Sequence, residues 1–183
     1  MKNIVIISGH PNLSQSAANR TILDSLAQAL PNTPIRRLDA LYHGQAIDIA
    51  AEQEALAQAD IIVWQFPLHW YSLPALMKSW LDQVFSFGFA YGPGAKLAGK
   101  TLVVSFTSGA KESDYAVGQA QNYPIETFIH AFRQTATMCG MNFGETVYSG
   151  GMLYIPGVHS EADLAAVQQK AQAHAQRLLA VLA

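Results

Sequence analysis

Three short segments of this chain carry the residue types from which a ligand site can be built. The first, Gly9-His10-Pro11-Asn12-Leu13-Ser14-Gln15-Ser16-Ala17-Ala18-Asn19, runs into a helical pattern and is rich in hydroxyl and amide side chains. The first N–H groups of a helix have no partner inside it and lie at the positive end of its dipole. They therefore attract a phosphate without help from a lysine. Ser16 and Asn19 are equally routine as residues that cap and solvate a helix start, and His10 alone reads first as a structural hydrogen-bonding group. The second segment is Pro67-Leu68-His69-Trp70-Tyr71-Ser72. The rings of Trp70 and Tyr71 can stack on a flat heterocycle whose polar edge meets nearby backbone N–H groups, or they can pack under the next helix. The third, Thr107-Ser108-Gly109-Ala110-Lys111-Glu112-Ser113, is small and polar and allows a ligand close to the backbone. Lys111 and Glu112 read as solvated charges, and Tyr115 as either a hydrogen-bond and proton donor or a structural residue.

All three segments follow the ends of apolar runs. Ile4–Ile7 is short, β-branched and continuously apolar, as in a strand buried on both faces. Ile61–Phe66 and Thr101–Phe106 are of the same kind, and Ile35–Leu38 and Phe143–Tyr148 are weaker strand candidates, the last diluted by Gly144. Between them lie helical patterns at 16–30, at 50–59, and from Ser72-Leu73-Pro74 through Val84, where Ser72 is the expected cap. Further helices are expected at 125–138, with Gly140 at its end, and from Ser160 through Leu182, where Ser160 and Asp163 form a capping box. The glycine-rich stretch 87–99 reads as a loop. Strands alternating with helices from end to end imply one α/β domain, 1–183, with a parallel sheet. In such sheets ligands lie beyond the C-terminal ends of the strands, where the three segments fall.

Composition narrows the function classes. The chain has 183 residues, 50% hydrophobic and 13% charged, enough for a core without metals or disulfides. With 11 Lys and Arg against 13 Asp and Glu, the net charge is -2, and no clustered basic excess points to nucleic acid. The single cysteine, Cys139, permits neither an intrachain disulfide nor a cysteine zinc site, and no metal is expected. Lys2 before Ile4–Ile7 mimics a signal peptide, but Ser8-Gly9-His10-Pro11 ends the apolar run too early, so a cytoplasmic protein without an anchor is expected. Neither G-x-x-x-x-G-K-[ST] nor G-x-G-x-x-G occurs, which disfavours a nucleotide hydrolase and a dinucleotide-type Rossmann site.

In this order and spacing the three segments resemble the flavodoxin-like NAD(P)H:quinone oxidoreductases, a family that includes the small ancillary oxidoreductases of glutathione-gated potassium efflux systems. Gly9-His10-Pro11 through Asn19 matches the family's flavin-phosphate loop, and Val63 through Pro74 resembles its ring-binding strand and loop. Asp48-Ile49 with Glu52-Gln53, and Phe85 through Gly92, look like the efflux-linked subgroup. The likeness covers nearly the whole chain and weakens after about Gly140.

The resemblance implies a five-stranded parallel sheet of order 2-1-3-4-5 with helices on both faces. It implies that His10, Ser16, Ala17, Ala18 and Asn19 hold the flavin phosphate side. Pro67, Leu68, His69, Trp70 and Tyr71 would hold the ring edge, and Thr107, Ser108, Gly109 and Ala110 its far side. FMN is the implied cofactor, with FAD the alternative, and NAD(P)H the co-substrate. The implied reaction is ping-pong: a reduced nicotinamide gives hydride and leaves, and a quinone then takes two electrons in the same place. Tyr115 matches a family tyrosine and is the candidate catalytic residue, whereas Gln121 stands where larger relatives place a histidine. A homodimer is implied, with the loop Phe85–Tyr91 as a surface. The alternative function is a regulatory subunit on the cytoplasmic face of a potassium–proton antiporter. A one-electron carrier is disfavoured, because such carriers are strongly acidic and this chain is not. No acidic clamp for a ribose and no basic clamp for its phosphate is identifiable.

Overall fold

The computed structural model describes residues 2–183. Five strands form one parallel sheet: β1 Ile4–Ser8, β2 Ile35–Arg37, β3 Ile61–Pro67, β4 Thr101–Thr107 and β5 Asn142–Ser149. Their spatial order is β2-β1-β3-β4-β5, the expected 2-1-3-4-5. The helices are α1 Ala17–Ala29, α2 Leu38–Leu41, α3 Ile49–Gln58, α4 Ala75–Val84, α5 Glu126–Met138 and α6 Glu161–Leu182. Among the described residues no helix is long and apolar enough to cross a membrane.

Alternate residues along each central strand feed two separate cores, as the two-residue strand period requires. Val5, Ile7, Ile62, Trp64, Phe66, Leu102, Val104 and Phe106 pack with α3, α4 and α5 through Leu56, Met77, Trp80, Val84, Ile129 and Phe132. Ile6, Val63, Val103 and Val147 face the other way, against Ile22, Leu23 and Leu26 of α1 and Val167, Ala171 and Leu178 of α6. Both faces are covered, so the strands read as continuous apolar runs rather than as alternating ones.

Local differences from the expected elements have local causes. The helix after β3 opens at Ala75 with Pro74 as its N-cap, and Ser72 does not cap it. Instead Ser72 exchanges backbone hydrogen bonds of 3.0 Å in each direction with His69. Leu38 leaves the strand predicted to contain it and starts α2, filling the core completely buried. Gly144 does not end β5, which bulges there, the pairing shifting between Leu102 and Val104. A side chain at 144 would meet the Thr101 Cγ2 at 3.1 Å, which explains the glycine. Ser160 and Asp163 form the expected capping box of α6.

Asp48, Glu52 and Gln53 turn out to be the fastenings of α3. Asp48 caps it by accepting the Ala51 N–H at 3.0 Å, and Gln53 donates to the Val84 carbonyl at 2.9 Å. The Glu52 carboxylate is fully buried and accepts from Arg36 Nε at 2.7 Å, Trp80 Nε1 at 2.9 Å and the Tyr42 hydroxyl. A buried charge persists only when paired and hydrogen-bonded in this way.

Candidate functional site

The loops after β1, β3 and β4 meet at the C-terminal rim of the sheet and line two adjoining hollows. One, of about 300 Å³, is lined by His10, Ser16, Ala17, Ala18, Asn19, Pro67, Leu68, His69, Thr107, Ser108 and Gly109. The other, of about 200 Å³, is lined by Leu68, Trp70, Tyr71, Ser108, Gly109, Ala110, Tyr115 and Gln121. Leu68, Ser108 and Gly109 belong to both, so the hollows lie side by side with shared walls. Every residue that the resemblance assigned to flavin binding, and Tyr115, lies in this lining, whereas Lys111 and Glu112 do not.

Gly9 lets the first loop form. A Cβ at that position would stand 2.2 Å from the Met77 sulfur of α4, so only glycine lets the chain leave β1 here. The chain then turns through a 3-10 segment, Leu13–Gln15, into α1. Ser16 is the N-cap and accepts the Asn19 N–H at 3.0 Å. The N–H groups of Ala17 and Ala18 donate to no acceptor among the described residues, and they lie at the positive end of a 13-residue helix. These are the terms on which a helix start binds an anion. His10 is neutral: its Nδ1 accepts the Asn12 N–H at 3.0 Å, and burial, with His69 adding, lowers its pKa to about 4.

Asn19 lies beneath the hollow, 3% exposed, and its amide is already committed. Nδ2 donates to Thr107 Oγ1 at 3.0 Å and Oδ1 accepts from Gln65 Nε2 at 2.9 Å. It therefore ties the start of α1 to β3 and β4, while its neighbours keep free donors.

The second loop is a tight turn with Trp70 at φ 47° and Tyr71 at φ 64°. Both lie in the left-handed region, which costs a non-glycine residue about 1–2 kcal/mol. The closing His69–Ser72 pair and these dihedrals match the two-residue turn that reverses a chain most sharply. Tyr71 rests on Phe128 of α5, ring centroids 5.1 Å apart and nearly parallel. Trp70 stands free at 93% exposure, so it does not pack under α4. The Trp70 and Tyr71 N–H groups, like those of Gly109 and Ala110, have no acceptor among the described residues. The turn thus sets an exposed aromatic face beside free backbone donors, and a flat ring with a polar edge can use both.

The third loop is held by the segment after β5. Ser108 N–H donates to the Ser149 carbonyl at 3.0 Å, and Gly151 N–H to that of Ala110 at 2.7 Å. The Ser108 hydroxyl donates to the Ala110 carbonyl at 2.9 Å and takes the Tyr148 hydroxyl at 2.7 Å. Burial pushes the Tyr148 pKa up to about 12, so the phenol keeps its proton. Ser108 therefore shapes the loop. Met152, Leu153 and Tyr154 complete the first hollow as a fourth wall that sequence reasoning did not include. The signal for it was faint: Gly150-Gly151 directly after β5, at the same strand end as the other loops.

Residues 2–177 match the model of a family described by its flavodoxin-like fold. The chain belongs to this flavodoxin-like family. Among its solved relatives is general stress protein 14 of Treponema denticola in complex with FMN, 30% identical, with 99% of each chain covered and a TM-score of 0.84. An NADPH-quinone reductase from P. pentosaceus is 28% identical over 93% of this chain and 98% of its own, TM-score 0.73. A structure named as a thermophilic tryptophan halogenase from Streptomycin violaceusniger is 34% identical over 93% and 96%, TM-score 0.78. The three names differ, and what these proteins share with this flavodoxin-like chain is the architecture on which the hollow is built.

Proposed function

We propose that this chain is an FMN-dependent NAD(P)H:quinone oxidoreductase. The observation that carries the reading is that the two hollows adjoin, sharing Leu68, Ser108 and Gly109 as walls. One end offers the free N–H groups of Ala17 and Ala18 at a helix start, suited to a phosphate; the other offers Trp70, Tyr71 and the free Gly109 and Ala110 N–H groups, suited to a flat polar ring. A flavin mononucleotide has those two parts, and the relatives that bind FMN or are named for quinone reduction support it. When bound, the flavin supplies the redox chemistry, taking a hydride from a reduced nicotinamide and returning two electrons to a quinone.

The protein's part is positioning. Ser16 with the Ala17 and Ala18 N–H groups holds the phosphate, and Pro67, Leu68 and the strained turn hold the ring edge. Gly109 and Ala110 offer donors on the opposite side. Neutral His10 and His69 keep positive charge off the phosphate side, so attraction there comes from the backbone. Tyr115 and Gln121, in the lining of the second hollow, contact the nicotinamide and quinone in turn, which is a ping-pong sequence. Phe87, Val117 and Tyr123 are exposed apolar side chains at 69%, 80% and 55%, and we assign their cover to a second copy in a homodimer.

The test is an anaerobic titration of the FMN-loaded protein with NADPH and with NADH, read by flavin absorbance. Bleaching that a quinone reverses is expected. A bound flavin that neither nucleotide reduces contradicts the reading.

A further inference from the structure

The same rim carries a second basin, of about 400 Å³, beside the hollow. The 108–115 segment serves both, giving Ala110 and Tyr115 to the hollow and Lys111 and Glu112 to the basin. Lys170 and Arg177, two turns apart on α6, complete a group of three cations. None of the three forms a salt bridge with any described residue. Arg177 donates to the Tyr148 carbonyl at 2.9 Å and to Ser149 Oγ at 2.6 Å, which holds the guanidinium in place without neutralising it. Glu112 is the one carboxylate in the lining, and it turns an oxygen to the Gly150 N–H at 3.2 Å. Three cations against one carboxylate leave a local charge of +2 in a chain that has only 11 Lys and Arg.

We propose that this basin binds a phosphate monoester. Its charge near −2 matches the local excess, and its three outer oxygens can each take a donor from a different side, two ammonium groups and one guanidinium. A carboxylate has one charge and two oxygens and would leave a cation unmatched. Two sources present this group: the 2′-phosphate that distinguishes NADPH from NADH, and a free phosphorylated metabolite. The first source rests on the function proposed above.

The test uses FMN-loaded protein, with the α1 site filled, titrated calorimetrically with inorganic phosphate and with 2′-AMP, and with adenosine as the uncharged control. Both phosphates are expected to bind and adenosine not. The double variant Lys111→Gln/Lys170→Gln should weaken them by about tenfold or more, the cost of charge-assisted hydrogen bonds. Arg177→Gln is the independent second variant. Absence of phosphate binding at millimolar concentration, or equal binding in both variants, overturns the proposal. If 2′-AMP binds more tightly than phosphate and the double variant raises KM for NADPH but not NADH, the source is the dinucleotide. If the two probes bind alike and neither KM moves, it is a free metabolite. Flavin content and reduction by NADH are measured alongside. A protein that binds and reduces flavin but ignores phosphate overturns the basin alone, and one that takes no flavin yet binds phosphate in a way the double variant weakens overturns the function alone.

Discussion

His174 Nε2 lies 2.8 Å from Ser105 Oγ, and this contact joins α6 to the middle of the sheet with both residues wholly buried. Ser105 donates its own proton to Gln65 Oε1 at 2.6 Å, so it must accept from His174, which sets the imidazole as the Nε2–H tautomer. Nδ1 then accepts from Ser149 at 2.9 Å, and Ser149 from Arg177. From Gln65 the chain of donors continues through Asn19 to Thr107. Every bond points the same way, from the basic basin to the floor of the hollow.

Replacing His174 by Ala should therefore reach the cofactor although the side chain does not line the hollow. Ser105 and Ser149 lose their partner in a closed core, which costs about 2–4 kcal/mol of stability. FMN affinity should fall as well, because Asn19 loses the support of Gln65. Chemical denaturation and flavin titration check the pair. Full stability with full affinity would contradict the linkage.

Acid should weaken the fold through the same group. Burial, with Arg177 adding, pushes the His174 pKa down to about 3, whereas an unfolded histidine titrates near 6.5. Between those values the unfolded chain binds a proton that the folded one does not. The contribution is whole above about pH 6.5 and is lost as pH falls, amounting to about 2 kcal/mol by pH 5. Denaturation midpoints at pH 7 and 5 measure the slope, and His174→Gln should reduce it without abolishing it, because His10, lowered by burial to about 4, contributes over the same range.

Trp70→Asn should separate stability from function. Asparagine tolerates the left-handed backbone far better than tryptophan, and little packing is lost at 93% exposure. The variant should be as stable as the parent, or more so by up to about 1 kcal/mol. Flavin affinity or the quinone KM should worsen, by about tenfold for a lost stacking contact. A destabilised variant with unchanged kinetics would reverse the assignment.

Glu52→Ala should do the opposite. Arg36 would be left without the carboxylate that it shares with Tyr42 and Trp80, at a cost of about 3–5 kcal/mol. The flavin bound per folded molecule should not change, since Glu52 lines neither hollow. Thermal denaturation and absorbance give both numbers.

Tyr115→Phe bears on the chemistry itself. The ring packs edge-on against Phe128 and Tyr148, both centroids 6.0 Å away, so its position is held without the hydroxyl. Flavin reduction should slow by less than about a hundredfold, below the range of an essential general acid. Stopped-flow reduction by NADPH decides it.

How far the sequence reached follows from what is local in it. Strand runs such as Ile61–Phe66 and helix stripes such as Leu73–Val84 carry their own period, so the alternating α/β order and the three loops at strand ends could be read directly. The sheet order came with the family resemblance and agrees with the structure. Trp70 and Tyr71 were singled out by residue type as a loop, but the tight turn and its left-handed strain depend on the closure between His69 and Ser72. Gln65 and Ser105, polar residues in apolar strands, were visible signs that something had to meet them. Their pairing at one level of the sheet, with His174 opposite, is a matter of register and of which face α6 turns inward. Likewise Lys111, Lys170 and Arg177 carry no common motif, being as many as 66 residues apart (177 − 111). Sequence alone determined which segments are buried and where the chain turns, because those depend on neighbouring residues. Only the tertiary structure decided which distant polar groups share a hydrogen bond or a charge, because that depends on how the helices dock on the sheet.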